Sequence, residues 1–181
     1  MPAPSKRNRG PAAAAENRRA LIDAARELFA EQGFAVPFSQ VAKRAGVGQA
    51  SLYRHFPDKQ ALAVAVFDEN LADLERRSHD LRGFLELIVA QARMSTSLLE
   101  ALTLGEDPAA RALEERLRGV IEGVLDHERG HGRVDAAVEV DDVATAVSMI
   151  AFHAAFLSGD RDADAGRAIA LIERALAPRG D

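Results

Sequence analysis

Apolar residues recur along this chain at helical spacing, in runs of a few turns separated by Gly, Pro and short polar stretches. Leu21, Ile22, Ala25, Leu28 and Phe29 fall at i, i+1, i+4, i+7 and i+8, which predicts an amphipathic helix over Asn17–Gln32, ended by Gly33. Phe38, Val41, Ala42 and Ala45 mark a short second helix, with Pro37 at its start and Gly46 as its left-handed terminator. After Val47 and Gly48, the run QASLYRHF buries Leu52 and Phe56 on one side of a third helix. Asp58 then caps a fourth, Lys59 to Ser78, with Leu62, Val66, Leu71 and Leu74 inward.

Beyond Asp80 the pattern predicts five more helices. Leu81–Met94 carries Phe84, Leu85, Leu87, Ile88 and Ala92. A polar break at Ser95-Thr96-Ser97 separates it from a short helix, Leu98–Leu104, ended by Gly105. Asp107-Pro108 signals the start of the seventh, with Leu113, Leu117, Val120, Ile121, Val124 and Leu125. Gly130 to Val140 is expected as a loop. The eighth helix starts at Asp141-Asp142, carries Val143, Val147, Ile150, Ala151, Ala154 and Leu157, and stops at Gly159; the ninth runs over Asp162–Leu176. The expected fold is therefore all-α: residues 1–15 as a disordered basic arm, 16–58 as a three-helix head, and 59–181 as a six-helix body.

The two short patterns around Gly46-Val47-Gly48 have the geometry of a helix-turn-helix, whose second helix presents donors to a DNA major groove. Gln49, Ala50, Ser51, Tyr53, Arg54 and His55 face outward in this reading. The residues from Gly33 to Lys59 follow the pattern G-F-x(4)-S-Q-V-A-x(2)-A-G-V-x(3)-S-L-Y-R-H-F-P-D-K. This run resembles the N-terminal domain of the TetR family of bacterial transcriptional repressors. The likeness is strong over roughly residues 17–70 and architectural beyond.

The resemblance implies double-stranded operator DNA as a partner. Gln49 is the best base reader, because its amide can bind adenine bidentately, and Ala50 and Ser51 can approach base edges. Ala50 and Ser51 stand where many relatives have Gly and Thr. Arg54 and Lys59 suit phosphate contact, and Tyr53 and His55 sit where the family uses phosphate donors. Ser39 adds a hydroxyl beside the amides that open the second helix, and Gly48 completes the turn. Tyr53 has an alternative role in packing, and His55 one as a backbone partner at the start of helix 4. Lys43 and Arg44 are expected to be solvated charges.

Composition narrows the classes. The chain has 181 residues, no cysteine, and a net charge of −5. Disulfides, thiol nucleophiles and cysteine-based zinc sites are excluded. No apolar run is long enough to span a membrane, and the basic N-terminus lacks the apolar stretch of a signal peptide, so a cytoplasmic location is expected. The charge is uneven. Residues 1–59 carry ten Lys/Arg against five Asp/Glu, a net of +5, and the remainder thirteen against twenty-three, a net of −10. A basic head on an acidic body fits a polyanion target.

The resemblance also implies a homodimer and a small-molecule effector. The dimer surface is expected from helices 8 and 9, at Val147, Ala151, Ala154, Ala155, Ile169, Ile172 and Leu176. The alternative is that these stripes cover the chain's own core. An apolar or aromatic effector would bind in the body among Phe67, Leu71, Leu87, Met94, Leu98, Leu117, Ile121, Met149, Phe152, His153 and Phe156. The alternative for these is plain core, and for His153 a satisfied core histidine. No cofactor is expected.

One motif points elsewhere. His127-Glu128-Arg129-Gly130-His131 matches H-E-x-x-H, in which two His hold zinc and Glu acts as base. Gly130 and Gly132 interrupt the helix at the second His, and only Glu139 lies nearby as a third ligand. A zinc hydrolase is the weaker alternative, and a helical adaptor without DNA binding is a third. The chain is expected not to be an enzyme.

Overall fold

The computed structural model describes residues 11–103, 108–156 and 161–178, with side-chain detail outside 93–103, 110 and 161–162. The described residues form eight helices and no strand: α1 (Pro11–Gln32), α2 (Phe38–Arg44), α3 (Gln49–His55), α4 (Lys59–Arg77), α5 (Leu81–Thr103), α6 (Pro108–Gly130), α7 (Val140–Phe156) and α8 (Arg161–Leu176).

Two expectations about elements are corrected. The fifth and sixth expected helices are one, α5, running through Ser95-Thr96-Ser97. Ser and Thr weaken a helix without breaking it, since neither removes a backbone donor as Pro does nor frees φ as Gly does. The first helix begins at Pro11 instead of Asn17, so residues 11–15 are helical where a tail was expected. Pro suits a first helical position, and the alanines after it have the highest helix propensity. Residues 1–10 of the expected arm lie outside the described residues, as do Gly105, Asp107, Leu157 and Gly159.

The apolar residues form two cores. Leu21, Ile22, Ala25, Leu28 and Phe29 of α1 pack with Val36, Val41, Leu52 and Phe56 and with Leu62, Ala63 and Val66 of α4. The second core gathers Leu71 and Leu74 of α4, Phe84, Leu85 and Ile88 of α5, Ile121 and Leu125 of α6, Val143 and Ile150 of α7, and Ile169 of α8. The helix α4 belongs to both, its first half to the head and its second to the body. Ion pairs reinforce the link: Arg26 of α1 meets Glu69 at 2.8 Å, while Arg116 of α6 reaches Asp68 and Glu75 two turns apart on α4.

The H-E-x-x-H segment serves this packing. Glu128 is 4% exposed, accepts the Leu81 amide at 3.2 Å, and takes two bonds from Arg133 at 2.6 and 2.9 Å. It joins the end of α6, the following turn and the start of α5. The Arg133 guanidinium holds the Glu128 carboxyl below its usual range, against the opposing effect of burial. His127 and His131 face solvent. The carboxylate needed as a base in the hydrolase reading is thus committed to the core.

Candidate nucleic-acid interface

Each turn of the head has a local cause. The break between α2 and α3 is a Schellman ending: the Val47 amide donates to the Ala42 carbonyl at 3.0 Å, the Gly46 amide to Lys43 at 3.3 Å, and Gly46 has φ 66°. Only a residue without Cβ takes that φ without strain. Gly48 is different. Its φ is −65°, and a Cβ added there would meet nothing within 4 Å. Neither strain nor crowding within the chain requires glycine there, and the missing side chain leaves the backbone at the start of α3 open to a close approach from outside.

The third helix is short and held by its buried side. Leu52 is fully buried and Phe56 nearly so, which fixes the rotation of α3 about its axis. Gln49, Ala50, Tyr53 and Arg54 are then exposed, as are Ser39 and Gly48. Tyr53 stands edge-on to Phe38 at 5.3 Å, so the α2 ring props the phenol while 57% of the residue stays exposed. Tyr53 thus packs on α2 through its ring and is exposed at the same time. Among the described residues Arg54 and Lys43 form no ion pair, whereas Arg44 is tied to Glu27 at 3.0 Å and Glu31 at 2.9 Å of α1. Arg44 is thus an exposed charge, as expected, that also braces α2 against α1.

Lys59 occupies the first turn of α4, where the helix dipole disfavours a cation. Its ammonium lies 4.4 Å from the centre of the Phe34 ring, and burial holds it below the usual lysine range. A cation kept at an unfavourable helix end, beside an exposed row of donors, suits an anion from outside. His55 is half-buried at the other end of α3. It borders an open cleft with Arg18, whose guanidinium sits 5.3 Å over the Phe56 ring.

One expected reader is misplaced. Ser51 is half-buried, and its hydroxyl is enclosed without a hydrogen-bond partner among the described residues. It lies one position before the buried Leu52 and turns partly inward, so its hydroxyl does not stand in the exposed row with Gln49 and Tyr53. Conversely, Gln40 and Lys43 share an open groove with Pro37, Ser39 and Gln49. Lys43 was expected to be a solvated charge and is exposed, while the half-buried Gln40 was given no role in the sequence reading.

The body residues also sort differently from expectation. Leu71 and Ile121 are core, and Phe67, Leu87 and Leu117 are half-buried against it. The described side chains do not include Met94 and Leu98. Met149, Phe152 and Phe156 are 67%, 62% and 64% exposed, and with His153 and Ser148 they line an open depression on the outside of α7. They are not the walls of an internal pocket, and His153 is not a core histidine. Of the expected dimer residues, Val147, Ala151, Ile169 and Leu176 are buried in this chain's own core, and Ala154, Ala155 and Ile172 are half-buried. Helical phase explains both corrections: Val143, Val147, Ile150 and Ala151 define the inward side of α7, which leaves Met149, Phe152 and Phe156 on the opposite side.

A short Gly-terminated helix, a propped aromatic donor and a cationic edge define a helix-turn-helix head. Residues 21–66 match the family model described as bacterial regulatory proteins, tetR family. Over this stretch the chain is similar to the DNA-binding domain of TetR-family proteins, which are DNA-binding regulators and not enzymes. HTH-type transcriptional regulators of Staphylococcus aureus, strains USA300 and COL, are 39% identical to it over 59 residues, which is 32% of this chain and 32% of each relative. The chain thus matches about a third of the length of these curated relatives. A TetR transcription regulatory protein from Mycobacterium vanbaalenii superposes with a TM-score of 0.67 at 29% identity, covering 92% of this chain and 98% of its own. The TetR transcriptional regulator SCO0520 from Streptomyces coelicolor shares the fold, with a TM-score of 0.68 at 23% identity over 90% and 99% of the two chains. No described helix is long and apolar enough to cross a membrane.

Proposed function

We propose that the chain is a cytoplasmic transcriptional repressor that binds palindromic operator DNA as a homodimer and is released by a small apolar or aromatic effector. The observation that carries the DNA reading is the exposed side of the head. Gln49, Ala50, Tyr53 and Arg54 share one side of α3, with Ser39, Gly48 and Lys59 at its margins. In this reading Gln49 addresses a base edge, while Tyr53, Arg54 and Lys59 hold phosphates, with His55 at the rim.

One such helix makes few contacts, and a two-fold dimer reading half-sites about 34–36 Å apart doubles them. The exposed side of α7 supports pairing: Met149, Phe152 and Phe156 fall at i, i+3 and i+7, Phe152 and Phe156 pack at 4.6 Å, and Leu171 of α8 is 60% exposed. A second copy covering these side chains would also meet the half-buried Ala154, Ala155 and Ile172. Effector binding rests on Phe67, Leu87 and Leu117, half-buried apolar residues on α4, α5 and α6. A ligand between these helices would displace α4, which is shared by both cores and leads directly from the head.

The test is affinity for the intergenic DNA next to the chain's own coding sequence, measured across salt concentrations. A linear fall of log affinity with log salt is expected, and Tyr53→Ala with Lys59→Ala should abolish binding. Salt-independent binding, or unchanged binding by the double variant, overturns the reading in favour of a helical adaptor.

A further inference from the structure

We propose that His127 and His131 form a solvent-facing bis-imidazole chelate for a borderline divalent cation, copper(II), nickel(II) or zinc(II). His127 lies in the last turn of α6 and His131 four residues on, just past the end of the helix. Their rings are neighbours, with centroids 4.4 Å apart and planes inclined by 38°. The Nδ1 of His131 lies 2.8 Å from the His127 carbonyl oxygen. A carbonyl can only accept, so Nδ1 carries the proton in this contact and Nε2 keeps its lone pair. A backbone bond of this type fixes the tautomer of a metal-bound imidazole and raises its basicity.

The surroundings favour a cation without supplying catalysis. The C-terminal end of a helix carries partial negative charge. Both histidines are exposed, and a Cβ at Gly123 or Gly130 would meet nothing within 4 Å, so this stretch of α6 is uncrowded on those sides. Glu128 is bonded to Leu81 and Arg133, and Asp126 to Arg129. Among the described residues no third His, Asp or Glu joins the pair. Water would fill the remaining positions, which suits cations that accept two imidazoles and stay hydrated, with copper(II) held tightest. The chelate would span the last turn of α6 and the turn leading to Arg133, and so stabilise that end of the helix.

Calorimetric titration of the tag-free full chain with copper(II), nickel(II) and zinc(II) tests this. One copper(II) per chain is expected, with nickel(II) and zinc(II) weaker. His127→Ala or His131→Ala should weaken binding about tenfold or more, and the double variant should lose it. His153→Ala, which alters an exposed histidine elsewhere, should change nothing. Saturating nickel(II) should raise Tm in the wild type and not in the double variant. Both substitutions are at exposed positions, and circular dichroism will report whether helicity is kept. Undiminished copper(II) binding by the folded double variant, or none by the wild type, overturns the proposal.

Discussion

The head and the body solve opposite surface problems. The head closes its apolar stripes around one core and turns polar and cationic groups outward; Tyr53 is its only large exposed apolar side chain among the described residues. The body also closes a core, yet leaves Met149, Phe152, Phe156 and Leu171 uncovered. A surface of donors on a closed core suits a charged partner, and uncovered aromatics suit an apolar one. The two surfaces thus differ in which side chains each core leaves uncovered.

The largest effect should come from opening the head. Phe29→Ala, at a fully buried site, should cost about 3–5 kcal/mol and abolish DNA binding, seen in denaturant melts and in affinity measurements. Phe152→Glu tests the body's surface. It should leave the helix content intact but weaken self-association by about 2 kcal/mol or more, measured by analytical ultracentrifugation. If sedimentation is unchanged, α7 is not the pairing face. Glu128→Ala leaves the Leu81 amide without its carboxylate and should destabilise by about 1–3 kcal/mol. Because the Glu128 carboxyl is lowered in the folded chain, its contribution is present above the unfolded value of about 4.3 and is lost as pH falls through the lower folded value. Tm should therefore fall more steeply with decreasing pH across that range for the wild type than for Glu128→Gln.

Two smaller effects refine the picture of the head. Gly48→Ala should change stability by less than about 1 kcal/mol, since its φ is ordinary and the space is open, yet lower DNA affinity about tenfold. A large stability loss would mean that the glycine serves the fold instead. Ser51→Ala should be nearly neutral in both assays, within about 0.5 kcal/mol, because it removes an enclosed hydroxyl that has no partner.

The head was legible because its signals are local. Gly33 and Gly46 take the positive φ that the stop signals required, and Asp58 caps α4 through a 2.7 Å bond to the Ala61 amide. Ser51 was misread because a seven-residue helix allows small errors of phase, and the enclosure of its hydroxyl depends on neighbours in space. The body was less legible for a related reason. Its helix α7 has a mixed pattern, with Ala151, Ala154 and Ala155 as small residues that suit either a core or a crossing. Periodicity found the stripe but not which side meets the chain's own core. The role of Glu128 was hidden because its partners, Leu81 and Arg133, belong to different segments. The brace from Arg44 to Glu27 and Glu31 likewise joins residues that are neighbours only after folding.

The uncovered face of α7 has a consequence for dosage. If an active unit needs two copies closed over Phe152 and Phe156, its abundance at low expression rises with the square of chain concentration. A halving of synthesis would then leave about a quarter of the active units, and thermal stability measured in dilute solution would understate that at higher concentration. A few exposed aromatic side chains would thus set how sharply occupancy of the DNA responds to the number of copies in the cell.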